Sequence, residues 1–480
     1  MSKNIFFILS FTLFTILFIS SCKLAENRLN TTWRTVPDTY KVQKDTTNMA
    51  LLTWQNHFID SSLKDLINSA LQSNLDLAIA LQRIEMSRAQ VRFAKGLPLP
   101  FVTGVASAGQ RRFGKYTMDG IGNFDTNFST NIDDNQRIPE HLPDYYVGLQ
   151  TVWEADIWQK LKHVKKSALA RYLASIEGRN FVQTSLIAEI ASIYYELLAL
   201  DNELEIIQQT VGLQESALEI IKIQKQAGVA NELAVQQFEA LVLNSKSLEF
   251  EIRQLVVEAE NRMNWLLGRF PQPIVRNKNT FFEAMPAQIN TGIPTQLLRN
   301  RPDIRQAEYE LIATGADVYA AQAAFYPSFT IVASIGFQTF QPKFLLSPAS
   351  IAYNVLGGLA APLLNRSALK ARLGVAKASQ LEALYQYQKS ILTAYAEVAN
   401  QLAKVENLGQ IVALKDREVK VLTEAIETSS NLFRTGRATY LEVIFTQTNA
   451  LQAKIGLAEV KKRQYQSMVE MYRALGGGWR

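Results

Sequence analysis

A stretch of 36 residues, 74–109, recurs at 301–336 without a gap and at a constant offset of 227. Eleven positions are identical, among them Asp76/Asp303, Ala89/Ala316, Val91/Val318, Pro100/Pro327, Ser107/Ser334 and Gly109/Gly336. A second match, at an offset of 208, pairs Gly228, Ala230, Leu233 and Val235 with Gly436, Ala438, Leu441 and Val443. A long unit has been duplicated, so each copy must be half of a single structure. The offset falls by 19, which places extra residues in copy one between Gly109 and Gly228, most simply within 110–144.

The duplicated stretch changes period at its prolines. Helical spacing runs from about Ser61 to Lys95 and stops before Pro98 and Pro100. Small, β-branched and aromatic residues then alternate, predicting strands at about 100–112 and 145–156, and in copy two at about 328–340 and 351–363. Pro100 and Pro327 mark the two helix-to-strand turns. Strands of about ten residues can cross a tilted path through a bilayer. Four of them are too few to close a barrel, so a spanning structure needs several chains. The segments 110–144 and 338–350 read as surface loops.

After each strand pair comes a rod. Leu186, Ile190, Ile193, Leu197, Leu200, Leu204, Ile207 and Val211 alternate spacings of four and three, a coiled-coil seam. Ile391, Tyr395, Val398, Leu402 and Val405 repeat it. An unbroken helix from about Trp158 to Gln226 would be roughly 100 Å long. Both rods turn back at matching places. Gly228 and Gly436 permit the left-handed backbone that ends a helix, and Asn231 or Thr439 can cap the return helix.

The N-terminus supplies an address. Lys3, the apolar run Ile5–Phe18 and then Ile19-Ser20-Ser21-Cys22 describe a signal peptide, 1–21, ending in a lipobox-like site. Cys22 is the only cysteine, which excludes disulfides within the chain and makes it the expected lipidation site. Lys23 rather than Asp follows it, which by analogy with bacterial lipoprotein sorting favours the outer membrane. No other stretch has 18 consecutive apolar residues, so any further crossing must be made by strands. The charge balance, 50 basic against 44 acidic residues, is mild and dispersed, a solvated surface rather than a nucleic-acid footprint.

Several segments together resemble the TolC-type outer-membrane efflux proteins, in particular their lipoprotein branch. Trp54, Phe58, Asp60, Leu63, Leu66, Ile67, Ala70 and Leu71 fit the family's opening pattern, followed by Asn74-Leu75-Asp76-Leu77. Leu297-Leu298-Arg299-Asn300-Arg301-Pro302-Asp303-Ile304 with Ala307-Glu308 is similar to its most recognisable motif. Phe325-Tyr326-Pro327, Asn264-Trp265-Leu266-Leu267-Gly268 and Ala474-Leu475-Gly476-Gly477-Gly478-Trp479 complete the series. The resemblance implies an α+β membrane protein: a homotrimer whose 12-stranded β-barrel, four strands per chain, continues into a long α-helical coiled-coil barrel. The parts would be the signal peptide 1–21, a lipid-anchored tether 22–60, repeat one 61–272, a linker 273–293 and repeat two 294–480. It further implies a passive efflux duct in the outer membrane of a Gram-negative bacterium, with its helices in the periplasm. Its partners would be outer-membrane lipid, a periplasmic adaptor (membrane-fusion) protein and a proton-driven inner-membrane pump of the RND type, with no nucleic acid.

Three departures stand out. Asn300 occupies the place of a second Arg, and Gln159 that of a Gly after the Trp. Where many members place an acidic residue two positions beyond the tip glycine, this chain has Ala438, beside Arg434 and Arg437. The expected aperture and adaptor-docking residues are thus Gly228, Asn231, Arg434, Gly436, Arg437 and Ala438. A basic ring, a pairing of these arginines with a neighbouring chain's carboxylates, and simple solvation are all open. His57, His141 and His163 lack ligand spacing and read as surface or loop residues, so no metal or other cofactor is expected. No phosphate-binding lysine loop or catalytic elbow occurs, and an enzyme is not expected. Two rival readings are an exit duct for type I protein secretion and a pore-less periplasmic coiled-coil scaffold lipoprotein.

Overall fold

The computed structural model describes residues 37, 40, 48–278, 281, 291–364 and 366–480. The expected signal peptide and Cys22 lie outside them. Copy one contributes α1 (Ser61–Ser73), α2 (Leu75–Gly96), β1 (Phe101–Arg111), α3 (Met118–Thr126), β2 (Leu142–Ala155), α4 (Lys160–Gln226) and α5 (Glu232–Leu266). Copy two contributes α6 (Pro302–Ala323), β3 (Ser328–Thr339), β4 (Ile351–Ala360), α7 (Ser367–Arg434) and α8 (Tyr440–Ala474). The bounds of α2 and α6 differ by 227 at both ends, and those of α5 and α8 by 208. The change of offset is located by the strand connections. Thirty residues, 112–141, join β1 to β2, but only 11, 340–350, join β3 to β4. The longer one is not bare loop as expected, since it contains α3.

The described residues divide into two compact units. One comprises 87–172 and 311–383 and is built on an antiparallel meander, β1-β2-β3-β4. At its helix-to-strand turns two indoles hold two carbonyls: Trp153 Nε1 donates to Pro98 O at 2.9 Å and Trp158 Nε1 to Pro327 O at 2.6 Å. Trp158 also stacks on Tyr326. Between these turns and α4, Asp156 accepts the amides of Leu161 and Lys162 at 2.9 and 2.8 Å, capping the helix over a tight turn. That turn forces Gln159 to φ +59°, the single non-glycine at positive φ among the described residues. A side chain there meets the steric cost that glycine escapes. Gln159→Gly is therefore expected to stabilise the protein by about 1 kcal/mol, read as a higher melting temperature in detergent; an unchanged or lower value would mean the turn costs nothing.

The second unit comprises, of the described residues, those within 37–86, 173–310 and 384–480. Its core is the predicted seam of α4. Ile190, Leu197 and Ile207 are fully buried, as are Ile67 on α1, Met263 on α5 and Leu475 after α8. At about 1.5–3 kcal/mol for each large apolar side chain removed from water, this seam is the main holding force of the unit. The corresponding positions of α7 are half-buried except Val398.

Three expectations change here. The helix expected over Ser61–Lys95 breaks at Asn74, whose backbone is extended. Its side chain caps α2 through Leu77 N at 2.9 Å and donates to Leu266 O, at the end of α5, at 2.9 Å, so both ends of the amide are used. The tether expected over 22–60 ends early, because Trp54 and Phe58 are buried at 3% and 4% exposure. The linker expected over 273–293 is pinned where it is described. Arg276 pairs with Asp201 and Glu260, and the Phe281 carbonyl accepts from Tyr465 Oη at 3.0 Å.

His57 corrects the surface reading. It lies face to face with Tyr472 at 4.0 Å, and burial pushes its imidazole pKa down to about 4, leaving it neutral near pH 7. His163 stacks on Tyr319 instead of standing free.

Candidate functional site

Two surfaces carry the chemistry this chain can do, and the first is the sheet. Residues directly opposite in an antiparallel ladder share a face, and faces alternate along each strand. One face therefore holds the rows Val102–Thr151–Ala333–Val355, Gly104–Leu149–Ile335–Tyr353 and Ala106–Val147–Phe337–Ile351. The other holds Thr103–Gln150–Ser334–Asn354, then Val105–Gly148–Gly336–Ala352, with Ser107, Tyr146 and Gln338 beyond. Nearest the helix-to-strand turns, the second face also carries the apolar row Phe101–Val152–Val332–Leu356.

The first face is almost wholly apolar, and the chain leaves it uncovered: Leu149, Ile335 and Tyr353 are 52%, 56% and 80% exposed. Such a face in water would cost about 25 cal/mol for every Å² shown. The second is mostly small or polar. Both long edges, β1 and β4, pair on one side only. An apolar face, a polar face and two open edges leave strand pairing free to continue beyond this chain. No described helix is long and apolar enough to cross a membrane.

The second surface is the pair of helical tips. α4 ends in a turn where Gly228 adopts φ +77° and the amides of Val229 and Ala230 return to Gln224 O. α7 ends identically, with Gly436 at φ +72° and Arg437 and Ala438 returning to Leu432 O. These are glycine-terminated helix ends whose last carbonyls are satisfied by the turn. Asn231 then caps α5 through Ala234 N at 3.0 Å, and Thr439 caps α8 in a capping box with Glu442. A small core formed by Ile221, Phe238 and Val443, with Phe433 and Tyr440 packed against it, joins the two tips. Heptad spacing could have located Phe238; nothing in the sequence pairs it with the α7–α8 tip.

The tips differ in charge. Lys225 forms an ion pair with Glu232 across the first, and Lys222 pairs with Glu219. At the second, Glu442 is engaged by the Thr439 amide. Arg434 and Arg437 are both exposed and form no ion pair among the described residues. Arg434 closes α7, where the helix dipole favours a cation; Arg437, beyond the glycine, has no such reason to be there. Pro100 and Pro327, by contrast, lie at the strand bases in the other unit and belong to its architecture.

Known proteins share this arrangement. The model of the outer membrane efflux protein family matches residues 66–269 and 293–477. The solvent efflux pump outer membrane protein SrpC of Pseudomonas putida is 29% identical over 432 residues, 90% of this chain and 88% of that one. The pyoverdine export outer membrane protein OpmQ of Pseudomonas putida is 30% identical over 428 residues, 89% of this chain and 88% of that one. The solved outer-membrane channel OprN superposes with a TM-score of 0.83 at 25% identity, covering 94% of this chain and 99% of that one. The family matched is one of transport ducts, not of enzymes. With its two repeats, its two-faced sheet and its paired tips, the chain belongs to the outer membrane efflux protein family.

Proposed function

We propose that three copies close one twelve-stranded barrel in the outer membrane and extend their helices into the periplasm as a coiled-coil tunnel, anchored by lipid on Cys22. The protein is an outer-membrane efflux channel. The observation that carries the trimer is the sheet, whose four strands expose an apolar and a polar face and leave both edges unpaired. A periplasmic adaptor docks at Gly228, Asn231, Arg434, Gly436, Arg437 and Ala438, and a proton-driven inner-membrane pump of the RND type energises transport. The duct itself is passive. Its closed state packs the tips inward, and the adaptor opens it by binding the splayed arrangement more tightly. The closing contacts are cross-chain ion pairs from Arg434 and Arg437.

Export by a pump is favoured over type I protein secretion because the relatives SrpC and OpmQ are named for solvent efflux and pyoverdine export. A pore-less scaffold has no use for a sheet of this kind. Planar-bilayer conductance of the detergent-extracted protein tests the reading. Wild type is expected to conduct weakly, and Arg437→Ala and Arg434→Ala to conduct several-fold more, since loss of about 1.4 kcal/mol of closing energy shifts the equilibrium about ten-fold. A large conductance indifferent to both changes would move the aperture elsewhere. Absence of current from inserted trimers would sink the duct.

A further inference from the structure

We propose that a buried polar layer, made by Gln214 of α4, Ser245 of α5 and Gln447 of α8, is the plane along which the helical tips unpack as one unit from the rods. Two apolar cores meet there without merging. On α4 the seam core reaches Val211 and the tip core starts at Leu218, with Gln214 between them. On α5 Val242 belongs to the tip core and Ile252 to the seam core, with Ser245 between. On α8 the same order holds for Val443, Gln447 and Leu451. Spacing keeps the polar residues on the packed side of each helix. Gln214 follows Val211 by three positions and precedes Leu218 by four, and Gln447 stands four from both Val443 and Leu451.

The layer is closed to solvent and its polar groups are unmet. Gln214 and Ser245 are 0% exposed, and Gln447 8%. Both amide atoms of Gln214, the Ser245 hydroxyl and the Gln447 amide oxygen have no hydrogen-bond partner among the described residues. Each forgoes the bonds it makes in water, and parting of the helices returns them. Polar residues at seam positions lower stability for the same reason. The apolar cores on either side resist parting, so the layer is the weakest cross-section between them.

The tip below it is held by its own small core, around Ile221, Phe238 and Val443, and opens as a body when the layer parts. That this parting widens the aperture rests on the duct proposed above; the parting itself does not.

Hydrogen–deuterium exchange of the full chain in detergent, read by mass spectrometry, tests the layer, with circular dichroism confirming that each variant is folded. Gln214→Met keeps the side chain's length and removes the amide. It is expected to slow exchange about ten-fold, or about 1.4 kcal/mol, at 218–224 and equally at 234–242 and 440–446, leaving 186–211 unchanged. Ser245→Ala cannot overfill the layer and is expected to slow the same three segments by a smaller factor. Slowing confined to the helix that carries the substitution, or no slowing in either folded variant, overturns the proposal. In an Arg437→Ala background both changes are expected to cut the bilayer current several-fold. Slowed exchange with undiminished current overturns the tie to the aperture. Exchange needs no pore, so failure of the duct reading would leave the layer standing.

Discussion

Arg301→Met is expected to destabilise the protein by about 3 kcal/mol, through loss of a buried charge hub rather than of any channel contact. Arg301 is 3% exposed. Its guanidinium meets Asp303 at 2.7 Å and Glu397 at 2.6 Å, and donates to the carbonyl of Ala474 at 3.0 Å. Burial alone would lower its pKa, but the hydrogen bonds and charges of Asp303 and Glu397 outweigh it and hold the group above its ordinary range. One side chain thus ties the first turn of α6 to the middle of α7 and the end of α8. Removing it takes the guanidinium from Asp303 and the Ala474 carbonyl and leaves Glu397 with Arg473 at 3.8 Å. The loss stays near the low end of the range for broken buried pairs because the Asp303 and Glu397 side chains keep 23% and 31% exposure and can rehydrate. Arg301→Lys keeps the charge but not the fork and is expected to lie between wild type and Met. Denaturant unfolding of the second unit, followed by far-ultraviolet circular dichroism, measures it. A change below about 1 kcal/mol for Arg301→Met would show that the hub is ornamental to stability.

The second large effect separates adjacent residues on opposite faces of β3. Ile335→Arg places a cation in the middle of the apolar face and is expected to cost about 2–4 kcal/mol per chain at the bilayer midplane. Ser334→Arg, one residue earlier, points to the polar face and is expected to insert normally while shifting ion selectivity toward anions. The readouts are the fraction of heat-resistant, membrane-inserted protein and the reversal potential in a salt gradient. Equal tolerance of both would mean the faces are assigned wrongly.

Legibility in the sequence followed the range of the interactions. The seam from Leu186 to Val211, the tip glycines and the caps Asn231 and Thr439 are local in their physics, and spacing alone placed them. The 19-residue change of offset even located the longer strand connection. Asn74 was harder, because its break is stabilised by the carbonyl of Leu266, 192 residues away. Arg301 stood out as part of a motif, yet its partners Glu397 and Ala474 lie 96 and 173 residues further on. His57 looked like a surface residue since the ring that covers it, Tyr472, belongs to the far end of the chain. Gln159 could be noticed only as a departure from a family pattern, and its φ of +59° supplies the reason that pattern prefers glycine. The two faces of the sheet were partly visible as alternation, but the rows that define them need the register.

The unpaired margins of the meander carry a kinetic consequence. A four-stranded ribbon with exposed greasy and polar sides gains little by forming alone, so in the proposed trimer its ordering and the encounter of the chains are one event. Refolding should then slow as protein is diluted, with a reaction order above one for the strands, while the helical hairpins, whose seam is internal to each chain, refold at a rate independent of dilution.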